Sequence, residues 1–195
     1  LGAIQSKNSN AIAKAVAKMP IIEYALQNGI VIIARGTTNT FVAEEILGEP
    51  IEHGAFVTGK TYPKKNAKRL QPSETFSEII LIKGKVNKKM EYAEAVTKLQ
   101  PGDVMIKGGN ALDYQNQLAG VCIGAQNGGT TGKFMPYVVA RKAHLLIPIG
   151  LEKQVAGNLL DIQKLMREPI ESEQHIPSMF LLSGEIITEL EALQI

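Results

Sequence analysis

Three short segments combine glycine with hydroxyl, amide and ammonium groups, and each follows an apolar run. Gly36-Thr37-Thr38-Asn39-Thr40 comes after Ile30-Val31-Ile32-Ile33-Ala34. Lys107-Gly108-Gly109-Asn110 comes after Val104-Met105-Ile106, and Asn127-Gly128-Gly129-Thr130-Thr131-Gly132-Lys133 comes after a run from Val121 to Ala125. Glycine allows a tight turn and close backbone approach. Amides at the start of a helix, aided by its dipole, favour an anion. Paired glycines beside a lysine can form a concave nest of N–H groups next to a positive charge. The chemistry is that of cradling a phosphate or carboxylate. Plainer readings stand beside it: the first segment also suits an ordinary capped helix start, and the second a glycine turn with a surface lysine. The third is the most distinctive, with three glycines in five residues ahead of Lys133.

Reactive candidates are fewer. Lys107 could polarise a carbonyl or neutralise an oxyanion. Asp113 or Glu152 could serve as a base, although each also reads simply, as a helix-start acid and a surface acid. The three histidines, His53, His144 and His175, lack metal-ligand spacing, and neither a G-x-S-x-G turn nor a Cys/His cluster is present. No metal or cofactor is expected. Gly54-Ala55-Phe56-Val57-Thr58-Gly59-Lys60-Thr61 satisfies the nucleotide P-loop pattern. That mechanism needs a strand before the loop and a helix after it. Here Pro50 precedes, Tyr62-Pro63 follows, and Ala55-Phe56-Val57 itself reads as strand, so the match is set aside.

Positioning these loops requires strands that run into helices, and the chain alternates in that way. A first helix over residues 10–19, capped by Asn8 or Ser9, is interrupted by Pro20; a second runs over 21–27 and ends at Gly29. The β-branched run 30–34 has no polar face, as in a parallel strand buried on both sides. Further strands are predicted at 55–57, 78–82, 104–106, 121–125, 145–149 and 179–182. Helices are predicted at 40–47, 89–99, 134–143 with Pro136 in its first turn, 159–167 and 185–193. Such alternation implies βαβ units: an α/β, Rossmann-like, mainly parallel sheet with helices on both faces. One domain over residues 1–195 is expected, with a ligand-binding core at about 30–155. The apolar face of the closing helix fits either the core or an oligomer contact.

Composition agrees with a globular chain. Of 195 residues, 45% are hydrophobic and 21% charged, enough for a sizeable core. A net charge of +2, from 21 Lys+Arg against 19 Asp+Glu, is too balanced to suggest nucleic acid. The basic stretch 60–72 reads as a solvated loop without a groove-reading motif or aromatic platform. No apolar run approaches the ~20 residues of a membrane span, and the Ala/Lys-rich stretch 11–19 lacks the apolar core of a signal peptide. The chain opens on Leu1 rather than methionine, which is compatible with trimming. The single cysteine, Cys122, lies in the apolar run Gly120-Val121-Cys122-Ile123-Gly124 and is expected to be a buried, inert thiol. One unpaired cysteine fits a reducing, cytoplasmic setting.

From Val104 to Leu112 the sequence Val-Met-Ile-Lys-Gly-Gly-Asn-Ala-Leu resembles ribose-phosphate isomerase of the A type, and Gly36–Thr40 resembles that family's sugar-phosphate loop. Between Val104 and Val155 the order Gly109-Asn110-Ala111, Asn127-Gly128-Gly129 and His144 to Lys153 is similar to the lactate-utilisation (LUD) proteins. Both belong to the NagB/RpiA/CoA-transferase-like superfamily. So do regulatory subunits of a translation-initiation exchange factor, which have a similar Asn-Gly-Gly loop. The resemblance implies a Rossmann-like sheet with a ligand over the strand ends. It also exposes departures. Gln115 stands where the isomerase has its carboxylate base, and an amide cannot take the proton. The isomerase's acidic segment has no counterpart beyond Asp103. No nucleophilic glutamate of a CoA transferase can be assigned. Two functions therefore compete: an isomerase- or transferase-like enzyme acting on a phosphorylated sugar or organic acid, and a ligand-sensing or scaffold module that keeps the pocket without the base.

Overall fold

The computed structural model describes residues 2–52, 54–57, 76–169, 171 and 177–195. Two N-terminal helices, α1 (Gly2–Ala17) and α2 (Pro20–Asn28), lead into β1 (Ile30–Ile33) and α3 (Thr37–Leu47). After the hairpin β2 (Ile79–Ile82) and β3 (Lys85–Val86) come α4 (Tyr92–Thr97), β4 (Val104–Ile106), β5 (Ala111–Asp113) and β6 (Leu118–Ile123). The chain continues through α5 (Gly129–Arg141), β7 (His144–Pro148), a 3-10 turn (Leu151–Lys153) and α6 (Leu159–Leu165). It closes with β8 (Ser178–Leu182), β9 (Glu185–Ile187) and α7 (Glu189–Ala192).

The main sheet has the order β3-β2-β1-β4-β7-β9. Strands β1, β4, β7 and β9 are parallel; on one side β2 pairs antiparallel with β1, and β3 pairs antiparallel with β2. Successive side chains on a strand point to opposite faces, and both faces here are covered. Val31, Ile33, Val104, Ile106 and Leu146 pack with Ile12, Val16, Ile22 and Val42 of α1, α2 and α3. Ile32, Met105, Leu145 and Ile147 pack on the other side with Tyr92, Val96, Phe134 and Val138 of α4 and α5. Burial on both sides explains why these strands carry no polar face. The protein is thus an α/β fold with a mainly parallel sheet between helices.

A second, antiparallel sheet, β5-β6-β8, was not foreseen. The run from Val121, expected as a parallel strand, belongs here. The reason is the length of its connection: four residues, Tyr114–Gln117, join β5 to β6, and so short a link permits only a hairpin. Gln117 turns it with φ 52. The stretch predicted as a helix over 185–193 also divides. Glu185–Ile187 pairs with Leu146–Pro148 as the edge of the main sheet. Thr188 then starts α7 with a capping box: its backbone N–H and hydroxyl both donate to Glu191 Oε2, at 2.8 and 2.6 Å. Ala55 and Phe56, read as strand, are fully buried in a turn. Helix α5 begins at Gly129 rather than at residue 134, so Pro136 is interior. The basic stretch 60–72, His53 and His175 lie outside the described residues. Among the described residues no helix is long and apolar enough to cross a membrane.

Candidate functional site

In open parallel sheets ligands settle beyond the carboxyl ends of strands, where the strand order reverses. Here that point lies between β1, whose connection leads outward to β2, and β4, whose connection leads the other way to β7. Asn39 bridges it. Fully buried, it donates from Nδ2 to the Ala34 carbonyl at 2.7 Å and the Ile106 carbonyl at 3.5 Å, tying the two strand ends together. These bonds fix the amide's orientation and direct Oδ1 the other way. Among the described residues Oδ1 has no hydrogen-bond partner. A side chain on Gly108 would come within 3.6 Å of it and 3.3 Å of the Pro148 carbonyl. Glycine at 108 therefore keeps this place open by its size.

A cavity of about 460 Å³ lies over the junction. Gly36, Thr37, Thr38 and Asn39 from the start of α3 line it. So do Lys107, Gly108, Gly109 and Asn110 beyond β4, and Gly128, Gly129, Thr130 and Thr131 at the start of α5. All three glycine-rich segments thus meet at one hollow. Not every residue of those segments takes part. Thr40 points away and donates to the Gly36 carbonyl at 2.9 Å. Asn127 and Lys133 line a neighbouring, larger cavity, and Gly132 lines neither.

The backbone of α5 accounts for its glycines. Gly128 and Gly129 have φ of 77° and 57°, left-handed values that favour glycine. A Cβ on Gly132 would lie 2.5 Å from the Asn127 carbonyl oxygen. Asn127 Oδ1 accepts from the Gly129 amide at 3.0 Å. The amides of the following residues belong to a helix's first turn, where no carbonyl four residues back is available to them. Gly36 differs from expectation: its φ of 171° is extended backbone that any residue adopts.

Among the described residues, the charged side chains lining this cavity are all cations: Arg35, Lys107 and Lys153. Lys107 Nζ donates to the Gly108 carbonyl at 3.0 Å, and Lys153 Nζ to the Gly109 carbonyl at 2.8 Å. Two ammonium groups therefore sit on consecutive carbonyls of one bend, and among the described residues neither forms an ion pair. Burial, and then the charge of Lys153, lower the Lys107 amine from its usual range to about 8, against a smaller opposing pull from Glu78. Burial also lowers Lys153, against the pull of Glu152. Arg35 is held by Glu78 at 3.4 Å, and the Thr130 hydroxyl donates to the same carboxylate oxygen at 3.1 Å. Tyr92 donates to the Thr130 carbonyl at 2.9 Å. This cluster forms the partition from the larger cavity of about 1030 Å³. That cavity mixes the acids Glu49, Glu78 and Glu91 with Lys88 and Lys133, so its lining is not of one sign.

The two carboxylates considered as bases lie outside the smaller cavity. Asp113 is buried on β5, where Oδ1 accepts from the Asn116 amide at 3.1 Å. Its Oδ2 accepts from Asn116 Nδ2 at 2.9 Å and the Leu159 amide at 3.1 Å. These bonds, that of the Asn116 side chain foremost, hold its carboxyl below the usual range and occupy its acceptors with structure. Glu152 turns back over Gly150, within reach of where a Cβ there would stand. Asp103 is likewise structural: it accepts from the Ile30 and Gln100 amides, each at 2.7 Å. Cys122, expected to be buried, is exposed and lines the cavity; Asn110 Oδ1 holds its amide at 2.9 Å. It is carried by β6, the middle strand of the second sheet, and not by the parallel core buried on both faces. Lys153 and Arg35 were not singled out from sequence. The available signal was position, since each stands just beyond an apolar strand. Among the described residues no group of three or more His, Cys, Asp or Glu could hold a metal ion. Comparison with protein-family models, with curated proteins and with solved structures finds no match.

Proposed function

We propose that this protein binds a small anion, a phosphate or carboxylate, in the cavity over the β1/β4 junction. The observation that carries this reading is the one-signed lining: Arg35, Lys107 and Lys153 face a hollow that, among the described residues, has no carboxylate in its lining. Burying an ammonium without a counter-charge is costly, and an anion would relieve that cost at two lysines together. The start of α5 adds amides and a favourable dipole. The buried Oδ1 of Asn39, without a hydrogen-bond partner among the described residues, suits a ligand that also carries a hydroxyl. A phosphorylated sugar or a short hydroxy acid has both features, in keeping with the likeness to the NagB/RpiA/CoA-transferase-like superfamily.

With Asp113 and Glu152 both outside the lining, binding is better supported than carboxylate-driven turnover, and a ligand-sensing module is the leading form of the proposal. Isomerase- or transferase-like activity is the second reading, favoured by the position of Lys107. Thermal unfolding with ribose phosphates, short hydroxy acids and acyl-CoA, with product analysis alongside, separates them. A ligand at a hundred times its Kd is expected to stabilise the fold by about 2.7 kcal/mol. The shift should be lost in Lys107→Met and Lys153→Met. Stabilisation without product supports the sensor, and product the enzyme. Absence of any shift, or a shift unaltered in both variants, overturns the anion site.

A further inference from the structure

Two amines sharing one glycine bend have a use beyond neutralising charge. A lysine becomes a nucleophile when it is desolvated or stands beside another cation, because both favour the neutral amine. Lys107 meets both conditions. It projects from the end of a fully buried strand, its Nζ rests on the Gly108 carbonyl, and Lys153 Nζ lies on the next carbonyl. Among the described residues, the other ionisable groups lining the cavity are Arg35, already engaged by Glu78, and the exposed Cys122 thiol, which partial desolvation pushes up. Glu152 acts on Lys153 from outside the lining.

We infer that Lys107 attaches covalently to carbonyl compounds that carry an anionic group, such as 2-oxo acids or aldehyde phosphates, by forming an imine in this cavity. The inference rests on the reading of the cavity as an anion site and adds a reaction to it. The neutral amine adds to the carbonyl carbon, forming the C–N bond while the carbonyl electron pair moves to oxygen. Transfer of a proton from nitrogen to that oxygen gives a carbinolamine. Its C–O bond then breaks, and the hydroxyl leaves as water with a proton supplied by the Lys153 ammonium. The resulting iminium returns one proton on relaxing to the imine, so no oxidant or reductant is consumed. At pH 8 roughly half of Lys107 is the neutral amine this requires.

The test treats the full chain with glyoxylate, and separately with glycolaldehyde phosphate, in the presence of cyanoborohydride. Reduced adducts are located by peptide mass mapping, and thermal stabilisation by inorganic phosphate is measured in parallel. Lys107 is expected to be labelled at least about tenfold faster than exposed Lys164, whose ammonium is paired with Asp161 at 3.0 Å instead of standing desolvated beside a second cation. Inorganic phosphate should slow that labelling. Lys107→Arg should abolish it, and Lys164→Arg should leave it unchanged. In Lys153→Met the pH at half-maximal labelling should move upward, because the neighbouring charge that favours the neutral amine is gone. This profile supplies a test even if Lys107→Arg fails to fold. Labelling of Lys107 no faster than Lys164 while phosphate still stabilises would overturn the imine and leave the anion site standing. Loss of both signals would overturn the two readings together.

Discussion

Lys107 carries a stability cost. Its folded value of about 8 lies below the 10.5 of an unperturbed lysine, so between those pH values the unfolded chain holds more protons and stability rises with pH. The favourable contribution is complete above 10.5 and is lost as pH falls through about 8. Lys107→Met should therefore stabilise the ligand-free protein at pH 7 by roughly 1–3 kcal/mol, with the gain shrinking as pH approaches 10.5. Urea unfolding of both proteins at pH 7 and 10.5 checks this; a less stable variant at pH 7 would show that the ammonium is not held at a penalty. The opposite expectation holds at Asp113, whose three hydrogen bonds are made by the charged carboxylate. Asp113→Asn should lower stability by about 1–3 kcal/mol while leaving phosphate affinity unchanged, because the residue lies on β5, outside the cavity lining. Calorimetric titration beside thermal unfolding distinguishes the two effects, and loss of affinity in a folded variant would place Asp113 at the site. Sequence made Lys107 legible because it directly ends an apolar strand. It could not separate Asp113 from a base, because burial and saturation of a carboxylate by amides leave no trace in residue type.

At the scale of elements, glycine-rich strand ends were a good guide to where the loops meet and a poor guide to why each glycine is there. Gly29 reads as a helix stop, yet a Cβ there would overlap the Asp103 carboxylate that ties β1 to the turn before β4. Gly36 reads as a turn glycine and has extended backbone. Gly132 is the opposite case: its place inside α5 looks permissive, but its Cα packs against the loop that opens the helix. Gly132→Ala is expected to displace the Asn127 carbonyl, destabilise the fold by about 1–3 kcal/mol and weaken phosphate binding at least severalfold. Thermal unfolding with and without phosphate measures both, and an unchanged phosphate response would detach the α5 start from the site. The final segment is ambiguous in sequence for a related reason. Ile186 and Ile187 fit an apolar helix face as well as a strand, and the deciding signal was Thr188-Glu189-Leu190-Glu191, a helix-start signature inside the predicted helix. Strand and helix share such short apolar runs, and only the partner β7 resolves them.

At the scale of the whole molecule, alternation of strand and helix correctly implied a mainly parallel sheet buried on both faces, since that pattern is local and repeated. The second sheet escaped notice because its pairing depends on contacts distant in sequence, such as Val121 with Phe180. This second sheet also gives the cavity its character. One wall is made by loops over the parallel strands, and the facing wall by Val121, Cys122 and Ile123 of β6. The two walls join through few backbone links, among them the Asn110 amide on the Gly120 carbonyl at 2.7 Å and the Val155 amide on the Leu112 carbonyl at 2.9 Å. A guest in the hollow would act as a splint across a seam. Slower amide hydrogen exchange in β6 and β8, paired strands of the facing wall, would then report occupancy as faithfully as any change at the lysines themselves.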